Sequence, residues 1–318
     1  VRALVVSNMR PDQAHPERGR FVRDQVNALR ELGDMDVQLY ELAPGARALA
    51  RATRELRRRH RGERFDVVHA HFGLTAWPAL AVRARKRALT LHGTDLAHPR
   101  TRLATRAALP LIDLVATASQ ELIERVPGRR ARARAQTLPC GVDTERFQPM
   151  ERAQARAALA SDAAPPLDAD EPVLLFPADP ARPEKRHDRA RALADSTGAR
   201  LLTLGGVAPE RVPLYVNAAN AVVVPSEREG FGLAVMEALA CDVPVLATPV
   251  GVHPRALDGI AGTLCAPFDL REWREALAPH LAAADPRVAG RARAEEYSTR
   301  RMAQRVASAW RTLLADAG

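Results

Sequence analysis

The chain has 318 residues, 47% of them hydrophobic and 27% charged. This globular composition excludes a mostly disordered or collagen-like chain and, at roughly 100–200 residues per domain, predicts two domains. The net charge of +9 is uneven, because residues 1–150 carry 27 Lys and Arg against 16 Asp and Glu while the remainder carries 20 against 22; no apolar run approaches the roughly 20 residues of a membrane span.

Short β-branched runs alternate with longer helical patterns, which predicts βα units and parallel sheets. The first expected strand, Ala3–Val6, leads into an irregular loop, Ser7–Arg20, that ends in Arg18, Gly19 and Arg20 before a helix starting at Phe21. A glycine there lets amides approach an anion, and a plain turn explains it equally well. Strands follow at Val37–Leu42, Val67–His71, Ala88–His92 and Leu114–Ala118. In open parallel sheets ligands bind beyond the carboxyl ends of the strands. The residues there are His69, His71 and Gly73 after the third strand, and His92, Gly93, Thr94 and Asp95 after the fourth. A single such histidine is usually structural, but three on one rim suit hydroxyl recognition and proton handling. Basic clusters at Arg51–Arg64, Arg83–Arg87 and Arg125–Arg134 suit an anionic membrane, a phosphorylated acceptor or nucleic acid, against the plainer reading of a solvated arginine-rich surface. Aromatics at 4% make nucleic acid the weakest partner, and none is expected.

An Ala-, Asp- and Pro-rich stretch, Phe147–Pro172, reads as an interdomain connection with one short helix at Arg152–Leu159. The alternation restarts with strands at Val173–Phe176, Leu201–Leu204, Ala221–Val224, Val245–Ala247 and Gly262–Cys265. After the first of these, the run DPARPEKR places Arg182 and Lys185 where two cations suit a diphosphate. Only Lys86 and Lys185 among 47 basic residues are lysine, so position 185 reads as one that needs a compact ammonium. The sharpest feature is PSEREGFGLAVMEALAC, Pro225–Cys241, where paired glycines open a helix after a strand and so form an anion site. It is neither a Walker loop nor a dinucleotide fingerprint. Glu229 and Glu237 stand about 12 Å apart along the helix rise, too far for a glycosidase pair but suited to flanking one extended ligand; for Glu237 alone a solvated face is the plainer reading. Ser298–Leu314 has a serine N-cap candidate and Met302, Val306, Trp310, Leu313 and Leu314 at helical spacing, so it needs an apolar surface to cover. The widely spaced Cys140, Cys241 and Cys265 read as reduced thiols, and Val1–Val6 is too short for a signal peptide, giving the expectation of a cytoplasmic, unprocessed protein.

The pair Glu229 and Glu237 around GFG, the PEK of Pro183–Lys185, LPCGVDTERF at Leu138–Phe147, LHGTD at Leu91–Asp95 and RGRFVRDQVNALR at Arg18–Arg30 together resemble a retaining glycosyltransferase of family 4, of the branch that makes teichuronic-acid-type and other cell-surface polysaccharides. The resemblance implies an α/β GT-B fold, two Rossmann-like doubly wound domains facing a central cleft. Residues 1–146 would bind the acceptor and be joined by the C-terminal helix, 298–318; residues 147–297 would bind a nucleotide-sugar donor. It further implies that His92, Glu229, Lys185 and Arg182 act in catalysis. The donor would be held by Gly19, Gly205, Val207, Glu229, Gly230, Phe231, Gly232, Leu233 and Glu237, and the acceptor by Arg18, Arg20, His71 and Asp95. The acceptor is expected to be a hydroxyl compound, with phosphorylated and lipid-linked ones open. The basic half is expected at the inner face of an anionic membrane, and the front-face reaction is expected to need no metal or other cofactor. Asp179 stands where many members have Gly-Arg, so giving the arginine role to Arg182 requires a shifted loop, and Cys140 replaces a common asparagine. A same-fold nucleotide-sugar epimerase or phosphorylase-like enzyme, and a non-catalytic protein binding polyanions or membrane, are the alternatives.

Overall fold

A computed structural model describes residues 1–13, 15–160 and 166–316. Residue 14 of the first loop, residues 161–165 of the expected connection and the end of the expected C-terminal helix at 317–318 lie outside the described residues. The chain forms two compact units, Val1–Gly141 with Thr299–Gly318, and Val142–Ser298.

The first unit is built on a parallel sheet of six strands: β1 (Arg2–Ser7), β2 (Asp36–Glu41), β3 (Phe65–His71), β4 (Ala84–Leu91), β5 (Leu114–Thr117) and β6 (Gln136–Thr137), in the order β2-β1-β3-β4-β5-β6. Successive side chains point to opposite faces, and both faces are covered, so the central strands read as unbroken apolar runs. Leu4 and Val6 face one core with Leu56, Ala76 and Ala108 from the helices Ala46–Arg59, Ala76–Ala79 and Pro99–Ala108. Ala3 and Val5 face the other, with Val22, Val26 and Leu29 of the helix Arg20–Glu31 and Met302, Val306 and Trp310 of the helix Thr299–Ala315. The C-terminal segment therefore has its apolar partner within this unit, and Trp310 is wholly buried there.

β4 begins four residues before the apolar pattern does, because Ala84–Arg87 already pairs with β3 while its side chains stay largely at the surface. β6, the exposed Gln136 and the half-buried Thr137, carries no hydrophobic signal at all.

The second unit holds β7 (Val173–Phe176), β8 (Arg200–Thr203), β9 (Ala221–Val224), β10 (Val245–Ala247) and β11 (Leu264–Cys265), in the order β11-β10-β9-β7-β8. The short helix expected at 152–159 is present at Arg152–Ala158. Residues 142–147 belong to this unit: Arg291 donates to the carbonyls of Thr144 (2.8 Å) and Phe147 (3.0 Å), and Thr144 Oγ1 donates to Glu295 (3.1 Å). The division thus falls at 141/142, five residues before the sequence-based boundary. All three cysteines are free thiols, and burial pushes Cys140 and Cys241 up to about 12.

Strand order supplies what periodicity does not. In the second unit the chain runs from β7 to one neighbour, β8, then crosses to the other, β9; in the first it runs from β1 to β2, then crosses to β3. Each reversal opens a crevice at the carboxyl ends of the two strands flanking it, the usual ligand position in doubly wound sheets. The loops that enter these crevices are those after β7 and β9, and those after β1 and β3.

Candidate functional site

In the second unit the loop after β7 is shaped by Asp179, whose Oδ1 accepts from the Ala181 amide at 2.8 Å, and by one tight turn, Pro183–Lys185. The loop after β9 meets it through the Glu227 amide, which donates to the Glu184 carbonyl at 2.9 Å. This joint carries Lys185 to Glu229: Nζ donates to Oε1 at 2.8 Å and Oε2 at 2.6 Å, and Ser226 Oγ adds a hydrogen bond to Oε1 at 2.8 Å. The two side chains are 15% and 8% exposed, a nearly dry ion pair. Burial pushes the Glu229 carboxyl upward, but Lys185, then His253 and Ser226, outweigh it and hold the group below the ordinary glutamate value.

The glycine turn follows at once. Gly232 caps the helix Leu233–Ala240 in a left-handed conformation (φ 105°), and a Cβ there would lie 2.5 Å from His253 Nε2. His253 is fully buried, and its Nδ1 faces the Thr248 carbonyl at 2.8 Å, which requires that nitrogen to carry the proton. Burial lowers its pKa, so Nε2 presents a lone pair toward Gly232. The same loop supports the turn twice more, with the Val252 amide donating to Phe231 O (2.7 Å) and Thr248 Oγ1 donating to Ser226 O (2.5 Å). Phe231 is buried, with Tyr297 tilted against it at 5.9 Å. Gly230, Phe231, Gly232 and Leu233 therefore form a braced turn whose first helical amides have no intrahelical acceptor.

Other expected residues are placed as follows. Arg182 is half-exposed and bonds Glu184 Oε1 through Nε (3.0 Å) and Nη2 (2.7 Å), so the two cations of the PEK loop engage different carboxylates. Glu237 is half-buried, about one turn into the helix. Gly205 lies beside Asp179, with 3.5 Å from its Cβ position to the Asp179 Cα, and the Val207 amide closes a turn on Leu204 O at 3.2 Å. His253, Thr248 and Ser226 escaped the sequence reading, although reading past β10 as was done past β9 would have found the first two.

In the first unit, three imidazoles form a stack at the carboxyl ends of β3 and β4. His69 lies 4.8 Å from His71, and His71 lies 5.2 Å from His92 at an interplanar angle of 19°. His71 Nδ1 and His92 Nε2 share a hydrogen bond of 3.0 Å, and His69 Nε2 one of 2.8 Å with Thr90 Oγ1. Burial lowers all three, His71 to about 3, so the stack is neutral at physiological pH. The half-buried His92 also contacts Phe21 (5.0 Å) and Phe72 (4.6 Å). Phe72 sits at φ 73° and ψ 141°, a positive-φ conformation that a bulky residue keeps only where its surroundings enforce it. Asp95 fixes both loops, accepting from the amides of Gly73 (3.1 Å), Gly93 (2.9 Å) and His92 (3.2 Å), while burial still pushes its carboxyl up to about 6. At the carboxyl ends of β1, β3 and β5, the buried atoms Ser7 Oγ, Asn8 Oδ1, His71 Nε2 and Ser119 Oγ have no hydrogen-bond partner among the described residues.

Gly19 caps the helix Arg20–Glu31 at φ 69°, and a Cβ there would lie 2.3 Å from the Met9 carbonyl. The neighbouring cations are engaged: Arg18 bonds Asp12 (2.8 Å) and Arg20 bonds Asp24 (3.0 Å). Across the unit, 30 Lys and Arg stand against 15 Asp and Glu; in the second unit the count is 17 against 23.

Residues 2–146 match the family model described as Glycosyltransferase Family 4, and residues 152–282 the one described as Glycosyl transferases group 1. The D-inositol 3-phosphate glycosyltransferase of Mycobacterium avium (strain 104) is 29% identical, over 80% of this chain and 70% of that protein. The protein of that name from Mycolicibacterium paratuberculosis (strain ATCC BAA-968 / K-10) is 30% identical, over 80% and 67%. Among solved structures, the sucrose-phosphate synthase from Thermosynechococcus elongatus superposes with a TM-score of 0.73 at 19% identity, covering 99% of this chain and 100% of that one. Anabaena Alr3699/HepE in complex with UDP and glucose gives 0.68 at 17%, covering 98% and 99%.

Proposed function

Because the chain belongs to glycosyltransferase family 4 and has the GT-B architecture, we propose that it moves a sugar from a nucleoside-diphosphate sugar to a hydroxyl acceptor, with retention of configuration and without a metal. The observation that carries this reading is the Lys185–Glu229 pair beside the Gly230–Leu233 turn, in the crevice between β7 and β9. The diphosphate lies on the amides of that turn. Lys185 is shared between Glu229 and the phosphate oxygens, and the half-exposed Arg182 swings from Glu184 to add a second charge. Glu237 takes the ribose hydroxyls, Glu229 the sugar hydroxyls, and Gly205 and Val207 border the base. Charge gathering on the leaving diphosphate is met by fixed N–H dipoles and the ammonium, while that diphosphate, still next to the anomeric carbon, receives the acceptor proton.

His92, neutral and hydrogen-bonded to His71, offers a hydrogen-bonding group at the carboxyl ends of β3 and β4. The partnerless atoms of Ser7, Asn8, His71 and Ser119 suit a polyhydroxylated acceptor, since a buried polar group without a partner is costly until a ligand supplies one. Asp95 shapes that rim, with Arg18 and Arg20 at its edge. The excess of cations in this unit and the inositol-phosphate substrates named for the curated relatives favour a phosphorylated or lipid-linked acceptor, used at the cytoplasmic face of an anionic membrane in making cell-surface glycans.

The test is donor turnover. UDP-, GDP- and ADP-sugars are supplied with candidate phosphorylated polyols, with EDTA present, and Lys185→Ala is compared with the native chain. The expected loss is on the order of 10²–10³ in kcat, as for removal of one oxyanion donor. Near-full activity in Lys185→Ala would remove the diphosphate assignment, and donor consumption that needs inorganic phosphate instead of a hydroxyl acceptor would replace the transferase with a phosphorylase-type enzyme.

A further inference from the structure

One side of the first unit keeps an apolar strip that the fold does not cover. Among the described residues only four large hydrophobic side chains are exposed, and three of them are Trp77 (42%), Leu103 (68%) and Leu111 (52%). The helix Pro99–Ala108 runs directly into the turn Leu109–Leu111, so Leu103, Ala107 and Leu111, each four residues from the next and all exposed, follow one stripe. Trp77 lies along the same helix, its indole N–H donating to the Ala104 carbonyl at 3.3 Å.

The strip is edged with guanidinium groups. Arg102, Arg106 and Arg132 line a recess of about 330 Å³ whose other walls include Leu96, Leu103 and Pro127. The helix Ala46–Arg59, which covers the same face of the sheet, has seven basic or acidic residues of which six are arginine, and its single acid, Glu55, is engaged by the Tyr40 hydroxyl at 2.9 Å.

Indole and leucine side chains next to arginines match the boundary between acyl chains and anionic headgroups, where the apolar parts leave water and the guanidinium groups reach phosphates. A polynucleotide would satisfy the arginines but offer nothing to Leu103 and Leu111. We propose that the surface formed by Trp77, Leu103 and Leu111, with Arg102, Arg106 and Arg132, is where the protein lies on an anionic bilayer. The proposal rests on the membrane contact in the reading above and gives it an address; it is independent of the transfer chemistry.

Trp77 makes the test direct, since the other two tryptophans, Trp273 and Trp310, are wholly buried. The full chain is mixed with vesicles of phosphatidylcholine alone or with phosphatidylglycerol added. The expected result is cosedimentation with the anionic vesicles only, weakened by salt, together with a blue shift and protection from acrylamide quenching that are both absent in Trp77→Phe. The double variant Leu103→Asp, Leu111→Asp should melt at the native temperature and bind roughly tenfold or more weakly. Cosedimentation with no change in Trp77 emission would overturn this surface while leaving the membrane contact standing. Failure to bind either vesicle, or the same emission change with a short nucleic-acid duplex but not with vesicles, would overturn both. Donor consumption in the same samples reports on the transferase reading separately.

Discussion

At Gly232 the backbone angle and the neighbouring imidazole act together. An alanine would hold a side chain at φ 105° and place its Cβ 2.5 Å from His253 Nε2, an atom fixed by the bond from Nδ1 to Thr248. Gly232→Ala should therefore cost about 2 kcal/mol or more in urea unfolding and weaken nucleoside-diphosphate binding, whereas the strain alone would cost roughly 1 kcal/mol. Lys185 has a different signature. Removing it leaves Glu229 as a buried charge without its cation, and Lys185→Met should lose about 3–5 kcal/mol at pH 7. In the native chain Glu229 titrates below its unfolded value, so its contribution is complete above that value and disappears as pH falls through the folded one. In Lys185→Met burial is opposed only by His253 and Ser226, and the group should titrate above its unfolded value. The stability gap between the two proteins should then narrow from pH 7 to pH 5; a constant gap would show that Lys185 does not set the state of Glu229.

Among the elements, the strand ends of the first unit carry the strongest pH dependence. His71 titrates near 3 in the fold and His69 and His92 well below their ordinary value, so between those values and about 6.5 the unfolded chain binds more protons and stability falls as pH drops. Asp95 works the other way between about 6 and its unfolded value, because its folded form takes up a proton first. Three histidines against one carboxyl leave a net loss in acid. His71→Gln should make the slope of unfolding free energy between pH 6 and 5 shallower by about one proton, about 1.4 kcal/mol per pH unit. An unchanged slope would mean that His71 titrates normally.

The positions of these elements were legible because doubly buried strands read as unbroken apolar runs: β1, β3, β5, β7, β9 and β10 lie within one or two residues of their expected places. The start of β4, with charged side chains on a paired backbone, and the two-residue β6 left no such trace. Strand order was not legible, since periodicity records faces and not neighbours, and so the reason that the loops after β7 and β9 meet appears only in the fold. The partnership of Arg182 with Glu184 instead of the Lys185 cluster was hidden for a related reason: spacing along a loop does not say which way a long side chain turns.

For the molecule as a whole, two units with separate cores and opposite net charge, 30 cations against 15 acids in one and 17 against 23 in the other, should respond separately to their ligands. UDP at a hundred times its Kd should add about 2.7 kcal/mol to the unit that binds it. If the donor reading is right, hydrogen exchange should slow in the loops after β7 and β9 and in the core behind them, with the histidine stack unaffected. Protection confined to the first unit would place the nucleotide on the wrong half of the chain.

The helix Thr299–Ala315 completes the first unit, yet it follows all of the second in the chain. During translation the ribosome therefore delivers the whole of residues 142–298 while Val22, Val26 and Leu29 still wait for Trp310. The half that begins first is finished second. Nascent chains halted after residue 298 should resist protease across the later-made half and be cut in the earlier one, and this interval is when a chaperone has most reason to hold the protein.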